Sequence, residues 1–148
     1  MPKLRHSGAR RGANAIEFAL VAPVLVAMIG GLVDYGWYFW REALLVNGFR
    51  EATRAGGLQS AATTETGGTC TTCVTMATTS ANAALTSQGY SGVTVTPTIE
   101  RVPASGTPCT YAVVIDTTVP HERIFSLVPG PTEIHVRMVS MAQNLTCE

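Results

Sequence analysis

One long apolar run near the N-terminus constrains the fold of this chain more than any other feature of its sequence. Residues 19–33 carry no charge, and no acidic residue occurs before position 17. A basic N-terminal segment, the head, precedes the run and contains Lys3, Arg5, His6, Arg10 and Arg11. The run continues into an aromatic cluster at 35–40, and Trp and Tyr prefer the headgroup level of a bilayer. Because a spanning helix needs about 20 apolar residues, the stretch from Ile16 to about Trp40 is predicted to cross a membrane. The basic head is then expected to stay in the cytoplasm.

The helix is predicted to continue beyond the membrane to the pair Gly56-Gly57. The apolar residues Leu45, Phe49 and Ala52 recur at spacings of three and four, which is typical of an amphipathic helix. The glycine pair is a stop signal. A helix of about 40 residues, over 13–56, is near 60 Å long at about 1.5 Å per residue. A cleaved signal peptide is not expected, because its apolar core would be only about 7–15 residues long.

The remaining sequence predicts a small mixed domain at 70–148, after a Ser/Thr-rich linker at 57–69. A short helix is expected at 71–88, ended by Gly89. The residues at helical spacing on its inner face are Val74, Thr78, Ala81 and Ala84 or Leu85. Alternating and β-branched stretches predict three strands, at 93–96 with 98–102, at 111–119 and at 133–141. Their short proline-containing connections favour antiparallel neighbours. The predicted fold class is α+β: a long transmembrane helix that continues outward, then a three-stranded antiparallel sheet with a short helix packed on it.

All four cysteines, Cys70, Cys73, Cys109 and Cys147, follow the apolar run and would lie on the oxidising side of the membrane. An even number there favours disulfides over metal ligation. We expect a Cys70–Cys73 bridge at the start of the short helix, since a redox C-x-x-C needs a βαβ context and a zinc site a second such pair. A Cys109–Cys147 bridge would suit antiparallel strands, but the sequence does not fix the connectivity.

Several classes of function have little support in the sequence. No basic patch with interleaved aromatics follows the head, so nucleic-acid binding is not expected. His6, His121 and His135 are scattered without an acidic cluster, and no phosphate-binding glycine loop is present. We therefore predict neither an enzyme nor a cofactor, metal or small-molecule substrate. The apolar residues Ile124, Phe125, Leu127 and Val128 indicate a turn that plugs the edge of the core, or else a contact with a partner.

Two carboxylates lie at the ends of the apolar run. Glu17 stands at its rim, and a charge beside hydrocarbon is costly and usually marks a functional contact. The plainer interpretation is a carboxylate favoured by the dipole at a helix start. Asp34 is expected to mark the outer end of the hydrocarbon zone. The alternative is a contact with Arg41 or with the helix of a partner subunit.

Residues 10–23, RRGANAIEFALVAP, resemble the start of TadE-like minor pilins, or pseudopilins, of the tight-adherence (Flp) pilus systems of bacteria. Residues 49–55, FREATRA, resemble the end of the long helix in that family. The resemblance implies that a prepilin peptidase cuts between Gly12 and Ala13, so that 1–12 is a leader, and that it recognises Glu17 and Phe18. It also implies that Glu17 neutralises the N-terminal amine of a neighbouring subunit, a pairing that makes both charges tolerable in lipid.

The function expected from this resemblance is pilus assembly, with Glu17 and Asp34 as subunit-contact residues. Major Flp pilins are far shorter, so the extra domain favours a minor pilin. Its expected partners are the membrane, the prepilin peptidase, other pilin subunits and the assembly platform. The expected location is the inner membrane, single-pass, with the domain outside or incorporated in the pilus. The alternatives are an uncleaved anchor that scaffolds a secretion complex and, further off, a membrane-tethered thiol oxidoreductase that uses Cys70 and Cys73.

Overall fold

The computed structural model describes residues 9–59, 70–102 and 110–146. These residues form two helices and an antiparallel sheet of three strands, which confirms the predicted α+β fold. In chain order the elements are α1 (Ala9–Gly57), α2 (Thr71–Ser87), β1 (Thr98–Val102), β2 (Thr110–Pro120) and β3 (Glu133–Thr146). The long helix begins at Ala9, before the expected start at Ala13, and ends at the predicted glycine pair.

The two halves of α1 have opposite surroundings. In the second half, Leu45, Phe49 and Ala52 are fully buried against the rest of the chain, so the predicted amphipathic pattern is confirmed. In the first half the large apolar side chains are exposed. The stretch Asn14–Gly57 includes a segment long and apolar enough to cross a membrane. One continuous helix therefore joins an uncovered apolar segment to a folded domain.

Small residues let α1 and α2 approach each other closely. Gly48, Ala52 and Gly56 recur every four residues and so lie on one face of α1. A Cβ at Gly48 would be 2.7 Å from the Cβ of Ala84, and a Cβ at Gly56 would be 2.7 Å from the carbonyl oxygen of Cys73. Such distances are too short for a side chain. Glycine is therefore required where these two backbones meet.

The start of α2 is fixed by the predicted disulfide. Cys70 and Cys73 are bonded to each other, and both are fully buried. Cys70 is also the N-cap residue, and its Sγ accepts a hydrogen bond from the backbone N–H of Cys73 at 3.2 Å. Cys109 and Cys147 lie outside the described residues, so their pairing stays a prediction. Their chain neighbours Thr110 and Thr146 are cross-strand partners.

The end of α2 is a glycine-capped turn. Gly89 has a φ of 81°, which a glycine adopts without strain. The N–H of Tyr90 donates to the carbonyl of Leu85, and that of Gly89 to Thr86, the paired pattern of a Schellman motif. The buried face of α2 comprises Cys73, Ala77, Ala81 and Leu85. Ala81 and Leu85 were predicted, whereas Val74 and Thr78 prove only half-buried.

The sheet packs one face against both helices. β2 is the central strand, and Val113, Ile115 and Val119 from it are buried in the core. From β3, Ile134 and Val136 face the same core, as their predicted alternation requires. The second half of α1, α2 and the sheet form one folded domain, which we call the outer domain after its predicted location. The core between α1, α2 and this face of the sheet fixes the position of this domain on the helix.

The predicted first strand is only half correct. Residues 98–102 form β1, but 93–96 are not a strand. Pro97 lies between the two stretches and has no N–H to give to a ladder. Val95 is instead buried in the core beside the helices. Burial of one side chain thus replaces strand pairing at this point.

Candidate functional site

The residues expected at a processing site lie at the start of α1. Gly12, Ala13, Glu17 and Phe18 are all within the helix. Glu17 is exposed, and Phe18 has 71% of its surface exposed. Both side chains are therefore accessible to another molecule. A cut between Gly12 and Ala13 stays a prediction.

The first half of α1 presents an apolar surface that nothing in the described chain covers. Its exposed large side chains are Ile16, Phe18, Leu20, Val21, Val24, Leu25, Val26, Met28, Ile29, Leu32 and Val33. Soluble monomers rarely expose a contiguous apolar patch of this size. This surface requires lipid, another helix, or both.

Asp34 ends this surface, and it is buried by a loop from the outer domain. The loop comprises residues 121–132 between β2 and β3, and we call it the β2–β3 loop. Oδ1 of Asp34 accepts hydrogen bonds from the backbone N–H groups of Ile124 and Phe125, each at 2.9 Å. Oδ2 accepts from the N–H of Ser126 at 3.0 Å. Ser126 has a φ of 54°, in the left-handed region, so three consecutive N–H groups converge on one carboxylate.

The same loop contacts α1 through two glycines and a tyrosine. A Cβ at Gly30 would be 2.9 Å from Cδ1 of Leu127, and a Cβ at Gly31 would be 3.2 Å from Cγ2 of Val128. The hydroxyl of Tyr35 donates to the carbonyl of Pro129 at 3.1 Å. The loop thus lies directly on the helix backbone, over about one and a half turns. We call these contacts, together with those of Asp34, the Asp34 clasp.

The interpretation of this loop as a plug at the edge of the core is wrong. Its apolar side chains Ile124, Phe125 and Leu127 are exposed by 52%, 54% and 56%. The loop extends along α1 beyond the core because Asp34 holds its backbone there. These three side chains consequently lie outside the core, although Leu127 also contacts α1 at Gly30.

The sequence did not reveal the role of Asp34. Asp34 is only 4% exposed and its carboxylate binds the loop, whereas the expected alternatives were an open membrane boundary, Arg41 or a partner subunit. Arg41 lies over the rings of Trp37 and Tyr90, 4.9 and 5.0 Å from their centroids. A part for Asp34 in subunit assembly stays a prediction, and it would act through the loop that this residue holds.

Comparison with known families identifies the helix that carries these features. Residues 12–54 match the family model of TadE-like proteins. The match begins at the expected cut and ends shortly before α1 does, so it includes Glu17, the apolar surface and Asp34. The resemblance seen in the sequence is thereby confirmed for this helix, and the matched family is a structural component of the tight-adherence pilus. The comparisons with curated proteins and with solved structures found no match.

His121 is buried where the β2–β3 loop leaves the sheet and approaches the TadE-like helix. It is 5% exposed, and its ring meets that of Tyr38 edge-on at 5.3 Å between centroids. Within the described part of the chain its Nε2 has no hydrogen-bond partner. Burial lowers the pKa of His121, and the charge of Arg41 lowers it further, while Asp34 opposes the shift. The ring is therefore neutral in the folded chain at neutral pH.

Acidification is expected to weaken the packing around His121. The unfolded imidazole has a pKa of 6.5 and the folded one a lower pKa, so the stabilising contribution is complete above 6.5 and declines as pH falls below it. Thermal unfolding of the detergent-solubilised chain, compared at about pH 8 and about pH 5, measures this change. A His121→Phe variant keeps a ring against Tyr38 and removes the titrating nitrogens. It should lose part of the pH dependence, and an unchanged pH profile in this variant would refute the assignment.

His135 has one acidic neighbour on the sheet. Its Nε2 is 2.8 Å from Oδ1 of Asp116, and beside it Arg137 contacts Glu100 at 3.2 Å. These side chains lie on the outer face of the sheet and are about half exposed, so each pair stabilises the fold by less than about 1 kcal/mol. Among the residues that the structure describes, no group of His, Cys, Asp and Glu is arranged to hold a metal ion.

Proposed function

We propose that this chain is a minor pilin that takes part in the assembly of a tight-adherence pilus. The observation that carries the proposal is the TadE-like helix, whose apolar half is uncovered and whose other half is the core of a folded domain. In this proposal the helix crosses the bacterial inner membrane. The leader 1–12 is cytoplasmic, and the domain 70–148 is periplasmic or extracellular.

The chemistry of assembly would reside at Glu17. A cut after Gly12 leaves a new amine on Ala13, a few residues before the carboxylate. An amine and a carboxylate are each costly in hydrocarbon and become tolerable as a pair. The exposure of Glu17 leaves its carboxylate free to meet the amine of a neighbouring subunit. The partners would be the prepilin peptidase, other pilin subunits and the assembly platform.

Intact-mass measurement of the chain from its native membrane tests processing. We expect a mature chain that begins at Ala13, and a Gly12→Ala variant that keeps its leader, because the peptidase recognises the glycine. Gly8→Ala is the matched control, since it changes another glycine of the leader and should be cut normally. A native chain with its leader intact would instead support the uncleaved anchor that scaffolds a secretion complex.

The structure gives little support to the third candidate, a thiol oxidoreductase. Thiol exchange requires an accessible sulfur with a stabilised thiolate. Cys70 and Cys73 are both fully buried and hold the first turn of α2 against the glycine face of α1. Their positions suit a structural bridge.

A further inference from the structure

The β2–β3 loop contacts α1 at a level that lies inside the proposed membrane span. Gly30 follows Ile16 by fourteen residues, a rise of about 21 Å at about 1.5 Å per residue. The hydrocarbon core of a bilayer is about 30 Å thick. If the span begins at Ile16, Gly30 and its contact Leu127 lie within the outer leaflet, and Asp34 lies just inside its boundary.

We propose that the β2–β3 loop inserts Ile124, Phe125 and Leu127 into the outer leaflet of the membrane that α1 crosses. The inference rests on the proposed membrane anchor and adds a second, separate contact with lipid. It gives the outer domain a fixed height and orientation on the bilayer.

Several backbone groups of the loop are bonded within the protein, as a segment at this depth requires. Backbone polar groups in hydrocarbon must be bonded within the protein, because water is absent there. Asp34 accepts the N–H groups of three consecutive loop residues. The guanidinium of Arg123 donates to the carbonyl of Val128 at 2.9 Å, and Tyr35 binds the next carbonyl. The loop therefore directs these backbone groups toward the protein, while the side chains of Ile124 and Phe125 stay exposed.

A groove beside the loop favours lipid as the occupant. It is open and apolar, and its lining residues are Pro23, Val24, Ala27, Met28, Gly31, Tyr35 and Val128. From Pro23 to Tyr35 it follows α1 for about 18 Å, at about 1.5 Å per residue. One leaflet is about 15 Å of hydrocarbon, so an acyl chain that lies parallel to the helix fits this length. The groove joins the exposed surface of α1 without a polar break, which makes the helix and the loop one lipid-facing surface.

Tryptophan quenching by brominated lipids measures this insertion directly. The full chain, with Trp37→Phe and Trp40→Phe as background, is reconstituted in phosphatidylcholine vesicles brominated near either end of the acyl chain. In these vesicles the tryptophan of Phe125→Trp should emit at a shorter wavelength than a tryptophan exposed to water. The brominated lipids should quench its fluorescence, and bromine near the headgroup should quench more than bromine near the methyl end. Ile124→Trp serves as a second reporter should the first variant fail to fold.

Two further variants separate this inference from the anchor on which it rests. Leu25→Trp lies in the middle of the apolar run and should be quenched by deep bromine if α1 crosses the membrane. Val139→Trp replaces an apolar residue that is 51% exposed on the outer domain, near the end of α1, and should not be quenched. Quenching at position 25 without quenching at 125 would overturn the loop insertion alone. No quenching at 25 would overturn both proposals, and a blue-shifted but unquenched 125 would mean a protein partner instead of lipid.

Discussion

Replacing Asp34 with alanine is expected to release the β2–β3 loop from α1. Three N–H groups lose a charged acceptor, and hydrogen bonds to charged groups contribute about 1.5–3 kcal/mol each. Because the contributions of neighbouring hydrogen bonds are not additive, we expect the local opening free energy to fall by about 3 kcal/mol. That corresponds to roughly 100-fold faster exchange, at about 1.4 kcal/mol per factor of ten. Hydrogen–deuterium exchange at the amides of 124–126, in the solubilised full chain, measures the effect.

The conservative variant Asp34→Asn is the matched control. It keeps one carbonyl oxygen as an acceptor but loses the charge and the second acceptor oxygen, so its exchange should fall between those of the wild type and the alanine variant. Amides of β2, such as that of Ile115, should be unaffected in both. Unchanged protection of 124–126 in Asp34→Ala would show that the loop is held by its apolar contacts with Gly30 and Gly31 instead.

The second large effect is expected at Gly56, where α1 meets α2. An alanine Cβ there would be 2.7 Å from the carbonyl oxygen of Cys73 and 3.0 Å from the Cβ of Ala77. Cys73 belongs to a turn fixed by the disulfide, and Ala77 is fully buried one turn further along α2, so neither can move away easily. Overpacking of this kind costs about 1–3 kcal/mol, and we expect the upper end of that range for Gly56→Ala. Urea denaturation of the outer domain in detergent, followed by near-ultraviolet circular dichroism, would show the lower midpoint.

Gly36→Ala makes the same chemical change in the same helix without a clash. No atom lies within 4 Å of a Cβ built at Gly36, and alanine favours a helix over glycine by about 1 kcal/mol. This variant should be neutral or slightly stabilising. Equal destabilisation by the two substitutions would mean that the contact with α2 does not set the result, since helix propensity alone favours alanine at both positions.

The elements of this fold could be predicted where short-range sequence decides the structure. The spacing of Leu45, Phe49 and Ala52, the parity of Ile134 and Val136, and the stop at Gly89 each depend on neighbours within a few positions. The disulfide at Cys70 and Cys73 is equally local. The prediction of a strand at 93–96 was wrong although the residues do alternate. The following proline and the burial of Val95 prevent strand pairing there.

The Asp34 clasp could not be predicted in the same way. Asp34 and Ile124 are 90 positions apart, and no pattern in either segment predicts a contact with the other. The one available signal was a carboxylate next to an apolar run, which Glu17 shares. For Glu17 the family resemblance supplied an interpretation, whereas for Asp34 only the three-dimensional arrangement of the loop distinguishes a bound carboxylate from a boundary residue.

The outer domain contacts α1 at two positions along the helix axis. One is the Asp34 clasp, and the other is the glycine face from Gly48 to Gly56. Bending α1 between these positions, or rotating the domain around the helix, would have to break one of the two contacts. The segment of α1 between these two contacts and the domain are therefore expected to move as one rigid body. In a pilus, a rotation or axial displacement that neighbouring helices impose on the apolar half would therefore move the domain and its exposed surface by the same amount.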